Sequence, residues 1–248
     1  MTTAFDAAQN STHDEIDASA AALLDNPIWS ALTTDHAHLA LGGDLARRYP
    51  EQIGPLSGMP AQTGEGYEVL RALTPIAGML GLFFAETPRP PQGWTMVRSG
   101  PLVQMIALRP QLVESALPAN AELRALTPAD APAMVELAEL TEPGPFRLGT
   151  IELGSYFGIF QDGRLAAMAG RRTAMPGFVE VSAVCTHPEV RERGYASVLM
   201  SRVIEGITRE GRVPFLHAIP DNPAVRIYER LGFALRQTFE LAAVRRDR

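Results

Sequence analysis

An α/β protein of the α+β kind is predicted from three stretches in the second half of the chain. The run VSAVCTHPEVRERGYASVL (181–199) passes from an apolar strand through a charged, glycine-containing turn into an apolar helix pattern. Ahead of it, SYFGIFQDGRLAAMAGRR holds two apolar strands joined at Asp162-Gly163, a dipeptide that accepts positive φ in a tight hairpin turn. Behind it, VPFLHAI and ALRQTFELAAV read as strands flanking a short helix.

The whole chain sets outer limits. Its 248 residues allow one large or two modest domains. Hydrophobic residues make up 46% and charged ones 20%, the balance of an ordinary globular protein. A net charge of −6 argues against general nucleic-acid binding, yet 22 Lys and Arg can still cluster around an anionic ligand. Cys185 is the one cysteine, so no internal disulfide and no cysteine metal cluster can form. His36 and His38 share a spacing but lack a third ligand, and no metal is expected. The N-terminus shows no basic start followed by an apolar run. PIAGMLGLFF is too short for a bilayer, which takes roughly 20 residues. A cytoplasmic protein without membrane or nucleic-acid partners is the expectation.

Taken in order, residues 1–15 are a polar tail. From Ile16 to Leu32 the apolar spacing is helical and is interrupted at Pro27. HAHLAL and ARRYPEQIGPL are short mixed segments, EGYEVLRAL a helix and GMLGLFF a strand. TPRPPQGW is a loop, because proline donates no backbone hydrogen bond; PLVQMIAL is the next strand. RPQLVESALPANAE connects the halves, and LRAL is a short strand. Thr127-Pro128 then starts a helix as N-cap and first-turn proline, running to about Leu140, where TEPGPF breaks it. After the hairpin, FVEVSAVCT is a strand. Ala196, Leu199, Met200, Val203, Ile204 and Ile207 repeat at helical spacing until Gly211. Asn222-Pro223 opens a last helix that Gly232 ends.

A strand feeding a glycine turn at a helix N-terminus can hold an anion, because unpaired N–H groups and the helix dipole converge there. Arg191-Glu192-Arg193-Gly194-Tyr195-Ala196 supplies such groups and two guanidiniums, although a turn with two solvated arginines reads equally well.

The spacing Arg-x-x-Gly-x-Ala after the THP of SAVCTHP resembles the acyl-CoA pyrophosphate loop of the GNAT superfamily of N-acetyltransferases. Downstream, NPAVRIYERLGF is similar to the second GNAT signature through Ala224, Tyr228 and Gly232-Phe233, with Asn222 one residue nearer the alanine than is usual. TEPGPF, SAVCTHP and PFLHA resemble the glycine N-acyltransferase-like branch. The resemblance covers roughly residues 123–244 and implies a mixed central sheet flanked by helices. It also implies a tandem arrangement, with a degenerate GNAT-like domain at 16–118 and a catalytic acyl-CoA-binding domain at 119–248.

What the resemblance implies for the site follows by position. Val184, Cys185 and Thr186 hold the pantetheine arm through their backbone, on a strand that a bulge splays from its neighbour. Arg191, Glu192, Arg193, Gly194, Tyr195 and Ala196 hold the diphosphate. Glu180 is the candidate general base, directly or through water, against the alternative of a surface strand glutamate. Tyr228 faces the CoA sulfur and protonates the departing thiolate or hydrogen-bonds to it, against the alternative of a core tyrosine. Asn222 is a helix N-cap, a cofactor contact, or both. His217 is a candidate substrate contact or a structural histidine. The Cys185 thiol is packing, since a strand thiol without a base partner stays protonated. The co-substrate is acetyl-CoA or another acyl-CoA, and the acceptor a small amine or amino acid, with a protein N-terminus or lysine as alternatives. A non-catalytic acyl-CoA-binding protein on the same scaffold is the competing reading. Few residues follow Phe233, so the sheet is closed by a bent last strand, by the first half, or by a second subunit of a homodimer.

Overall fold

The computed structural model describes residues 16–248, so the expected tail at 1–15 lies outside the described residues. Helices α1 (Ala18–Asp25) and α2 (Pro27–Thr33) are one apolar pattern broken at Asn26, with Pro27 in the first turn of α2 where its missing N–H costs nothing. Three two-residue strands follow: β1 (Leu41–Gly42), β2 (Arg47–Arg48) and β3 (Ser57–Gly58). They make a small antiparallel sheet, and each is too short to display a period of two in the sequence. Helix α3 (Gly64–Leu73) starts after Thr63, whose hydroxyl accepts from the Gly66 N–H at 3.1 Å. The remaining elements are β4 (Met79–Phe84), β5 (Trp94–Ile106), β6 (Ala121–Ala125), α4 (Ala131–Thr141), β7 (Tyr156–Gln161), β8 (Arg164–Met175), β9 (Phe178–Thr186), α5 (Tyr195–Arg209), β10 (Val213–Ala218), α6 (Val225–Arg230) and β11 (Ala234–Arg246).

One eight-stranded mixed sheet dominates, in the order β4-β11-β5-β10-β9-β8-β7-β6. β9 and β10 pair in parallel, because α5 crosses between them; the other pairings are antiparallel. β11 lies between β4 and β5, so the first half completes the sheet, one of the three closures expected from the sequence. The sheet takes strands from both sides of residue 118.

β5 begins at Trp94, earlier than the expected Pro101. The stretch TMVRSG has no apolar alternation of its own; it is extended because β11 pairs with it, from Arg246↔Trp94 onward to Ala234↔Ile106.

The two faces of the sheet have different covers. On one face α5 buries Leu199, Met200, Val203, Ile204 and Ile207 completely, each contributing roughly 1.5–3 kcal/mol. α6 adds Tyr228 to the same core. On the other face lie the first-half side chains Leu24, Ile28, Leu32, Tyr49 and Ile53, with α4 beside them over β8 and β9. The β7–β8 turn is as expected, with Asp162 at φ 51° and Gly163 at φ 78°.

Gly170 on β8 pairs with Tyr156 on β7, and a Cβ there would lie 2.1 Å from the Tyr156 ring. Gly170→Ala is expected to lower stability by about 1–3 kcal/mol, as overpacking does, measured as a drop in the urea midpoint. An unchanged midpoint would mean the Tyr156 ring has room to move.

Candidate active site

The parallel pairing of β9 with β10 covers only Phe178, Val179 and Glu180 on the β9 side. Beyond Glu180, β9 continues to Thr186 beside β8 while β10 continues to Ala218 beside β5. The strands therefore diverge into a wedge with Glu180 and Phe215 at its apex. A bulge accompanies the divergence: from Met168↔Cys185 to Gly170↔Ser182, β9 uses one residue more than β8. Within it Ala183 has φ 51°, a left-handed conformation that costs a non-glycine residue roughly 1–2 kcal/mol. Val184, Cys185 and Thr186 thus line the open edge, where their backbone groups have no β10 ladder partner. Burial pushes the Cys185 thiol up to about 12, which fits a packing role.

At the far end of β9, Gly194 adopts φ 79° and leads into α5. Val198 N–H bonds to the Gly194 carbonyl at 3.2 Å, so the N–H groups of Tyr195, Ala196 and Ser197 precede the first intrahelical donor. Glu192, also at positive φ, and the exposed Arg191 and Arg193 complete the turn. The Tyr195 ring is buried and its hydroxyl donates to Gln161 Oε1 at 2.9 Å, so this residue offers the loop its backbone and not its side chain. Asn222 Oδ1 accepts from the Ala224 N–H at 2.9 Å just before α6, the N-cap-like role of its two expected ones. Tyr228 is buried with its ring against Phe233, and burial raises its hydroxyl pKa to about 12.

Glu180 is fully buried. Arg172 donates to both carboxylate oxygens, Nε to Oε2 at 2.9 Å and Nη2 to Oε1 at 2.6 Å. His217 Nδ1 lies 2.7 Å from Oε1 and, facing a pure acceptor, carries the ring proton. Its Nε2 then accepts from Gln104 Nε2 at 3.2 Å. The same Gln104 amide donates to the Leu24 carbonyl at 2.9 Å, and its oxygen accepts from Arg236 at 2.8 Å. Phe83, Phe215 and Phe239 meet the His217 ring edge-on at 5.3–5.7 Å. Burial alone would raise the Glu180 pKa, but the Arg172 charge and the His217 hydrogen bond outweigh it and hold the carboxyl well below the usual range.

These contacts weigh against Glu180 itself as the proton acceptor expected from the sequence. A guanidinium and an imidazole N–H favour the ionised carboxylate and lower its affinity for a proton. Both ring nitrogens of His217 have partners, as in the structural alternative named for it.

Several neighbours escaped the sequence reading. Arg172 and Tyr156 line a narrow cleft with the Pro143–Phe146 turn, Ser182 and Ala183. An adjoining cleft adds Tyr49, whose hydroxyl pairs with His36 Nδ1 at 2.7 Å. Arg172 had one available signal: it sits in AGRR on the strand that must lie beside the strand of Glu180. Tyr49 and Gln104 come from the first half and had none.

Removing one partner of a buried ion pair leaves the other charge uncompensated. Glu180→Gln is expected to destabilise the fold by about 3–5 kcal/mol in chemical denaturation. Folding lowers the Glu180 pKa, so the pair's stabilisation is full above the ordinary carboxylate value of about 4.3 and shrinks as pH falls below it. The wild-type protein should therefore lose stability below that pH more steeply than Glu180→Gln does; parallel curves would contradict the assignment.

Comparison with known proteins agrees with this architecture. The family described as FR47-like protein matches residues 156–241, the span from β7 into β11. A solved structure assigned to the GNAT family of acetyltransferases, from Novosphingobium aromaticivorans, is 38% identical with a TM-score of 0.82, covering 91% of this chain and 99% of its own. A GCN5-related N-acetyltransferase from Kribbella flavida shares the fold at 18% identity and TM-score 0.59, covering 88% of this chain and 93% of its own. A GCN5-related N-acetyltransferase-like protein from Streptococcus suis does so at 14% identity and TM-score 0.52, covering 88% and 92%. No curated protein gives a significant sequence match. Among the described residues no helix is long and apolar enough to cross a membrane, and no group of three or more His, Cys, Asp or Glu is placed to hold a metal. With more than a third of its residues shared along nearly the whole length of the Novosphingobium structure, and the splayed strands and glycine loop in place, the chain belongs to the GNAT family of N-acetyltransferases.

Proposed function

We propose that this protein transfers an acyl group from acetyl-CoA to a small amine or amino acid by direct attack in a ternary complex. The observation that supports it most is the wedge beyond Glu180 and Phe215, with open backbone groups on Val184–Thr186 leading to the Gly194 turn. Acetyl-CoA supplies the activated acyl group. Arg191, Arg193 and the first-turn N–H groups of α5 bind its diphosphate, where Gly194 reaches a left-handed backbone without a side chain in the way. Val184, Cys185 and Thr186 orient the pantetheine arm through their backbone.

The acceptor enters from the opposite face, under the TEPGPF turn, whose resemblance to the glycine N-acyltransferase-like branch favours a small substrate. Its nitrogen bonds to the acyl carbon, the carbon–sulfur bond breaks, and the Tyr228 hydroxyl gives its proton to the sulfur. Tyr228 suits this step because its raised pKa keeps it protonated and no hydrogen bond to another described residue occupies its hydroxyl. Water takes the amine proton, and Glu180 is a positioning residue that fixes Arg172 and His217. Residues 16–118 carry no Arg-x-x-Gly-x-Ala loop. Their role in this reading is to close the sheet and roof the acceptor face.

Thiol release from acetyl-CoA across an amine panel, with isotope-labelled acetyl transfer as confirmation, tests the reaction. CoA binding without transfer to any amine would favour a binding protein on the same scaffold. Tyr228→Phe keeps the ring and its packing, so stability and CoA affinity should stay near normal while kcat falls at least roughly tenfold. An early-melting variant with normal kcat would make the hydroxyl structural. Gly194→Glu should abolish CoA binding in calorimetry through bulk and like charge, and unchanged affinity in the folded variant would remove the diphosphate site.

A further inference from the structure

The cleft over Arg172 has a chemical preference of its own. Two of the Arg172 nitrogens, Nε and Nη2, are spent on Glu180, and no hydrogen bond engages Nη1 among the described residues. Arg172 nevertheless lines both adjoining clefts, and Phe83 backs its guanidinium with the ring centroid 5.8 Å away. Tyr156 lines the first cleft; its residue is 2% exposed and its hydroxyl is buried without a hydrogen-bond partner. A buried hydroxyl left unpaired costs about 1–3 kcal/mol, so its retention calls for a partner atom, which water supplies in the free protein and a ligand can replace. Burial raises the Tyr156 pKa, which keeps the hydroxyl a donor at neutral pH. Thr150 on the cleft wall adds no free donor, since its hydroxyl already donates to the Ile53 carbonyl and accepts from the Arg147 N–H, both at 2.7 Å.

From this donor pair we infer that the cleft binds the carboxylate of the acceptor, so that the substrate is a free amino acid. The inference rests on the acyltransfer reading above for its amine. With Arg172 and Tyr156 both lining one narrow cleft, the unengaged Nη1–H and the unpaired O–H favour an acceptor group there, and a carboxylate takes a hydrogen bond on each oxygen. Arg172 is held in place by Glu180, so little side-chain freedom is lost on binding. Ser182 and the left-handed Ala183 bound the same cleft, which sets the carboxylate within one residue of the bulge where the wedge opens. An α-amino group attached to that carboxylate would reach toward the wedge. A decarboxylated amine would leave Tyr156 and Nη1 unpaired, and an amide would put an N–H against a donor.

The test uses the full chain and common amino acids, each matched with its carboxamide and its decarboxylated amine. Thermal shift with CoA present reads binding without turnover, and thiol release from acetyl-CoA reads transfer. At least one free amino acid should stabilise the protein where its amide and amine do not, with KM lower by roughly tenfold or more, because sites built for a polar group reject analogues lacking it. Tyr156→Phe should raise that KM about tenfold, leave CoA affinity unchanged and shrink the acid-over-amide preference, while its own melting temperature holds or rises. Equal use of acid and amide, or a Tyr156→Phe protein with undiminished preference, would overturn the carboxylate site even if acetylation persists. Acid-selective thermal shifts without any thiol release would uphold the site and overturn acyl transfer instead.

Discussion

A buried charge that must be matched organises this protein. Placing the Glu180 carboxylate inside the sheet costs several kcal/mol of lost hydration, which only well-aimed donors can offset. Arg172 from β8 and His217 from β10 supply them, so the one carboxylate ties together the two strands on either side of β9. It does so at the apex of the wedge, the last point where β9 and β10 are paired. The strands can separate beyond this point because they are fastened at it.

The same cluster reaches into the first half of the chain. His217 leads to Gln104 on β5, Gln104 to the Leu24 carbonyl at the end of α1, and Arg236 on β11 to both Gln104 and Asp25. The first half therefore supplies polar partners to the Glu180 cluster, as well as two strands and an apolar cover. Each of these bonds pairs a donor with an acceptor, which is what makes a polar network in a core sustainable. The division of faces follows: α5 and the glycine turn serve one side of the sheet, and the clefts around Arg172, Tyr156 and Tyr49 open on the other.

Local strain sits where the two faces meet. Ala183 holds a left-handed backbone inside β9, and neighbouring pairs tolerate it because β8 shows the opposite irregularity, one extra residue between Arg171 and Ala174. Such compensated bulges cluster next to sites that must aim backbone groups at a ligand.

Local signals in the chain were enough to determine the second half. Asp162-Gly163 forms its hairpin, Gly194 its left-handed turn, and the apolar repeat from Ala196 to Ile207 its helix, because turn chemistry and periodicity act over a few residues. The two GNAT-like signatures likewise lie within short stretches, so the family was legible before any fold. Tertiary structure alone decided the rest. TMVRSG is a strand only because β11 lies beside it, and β11 falls between β4 and β5 through pairings more than a hundred residues apart in sequence. Glu180 alternates with Val179 and Val181 as a surface strand residue would, and nothing in that pattern reveals that its outer face is roofed by the first half. Whether a carboxylate is a base or an anchor depends on its distance to an arginine and on access to water. Both are set by long-range packing, which no local spacing encodes.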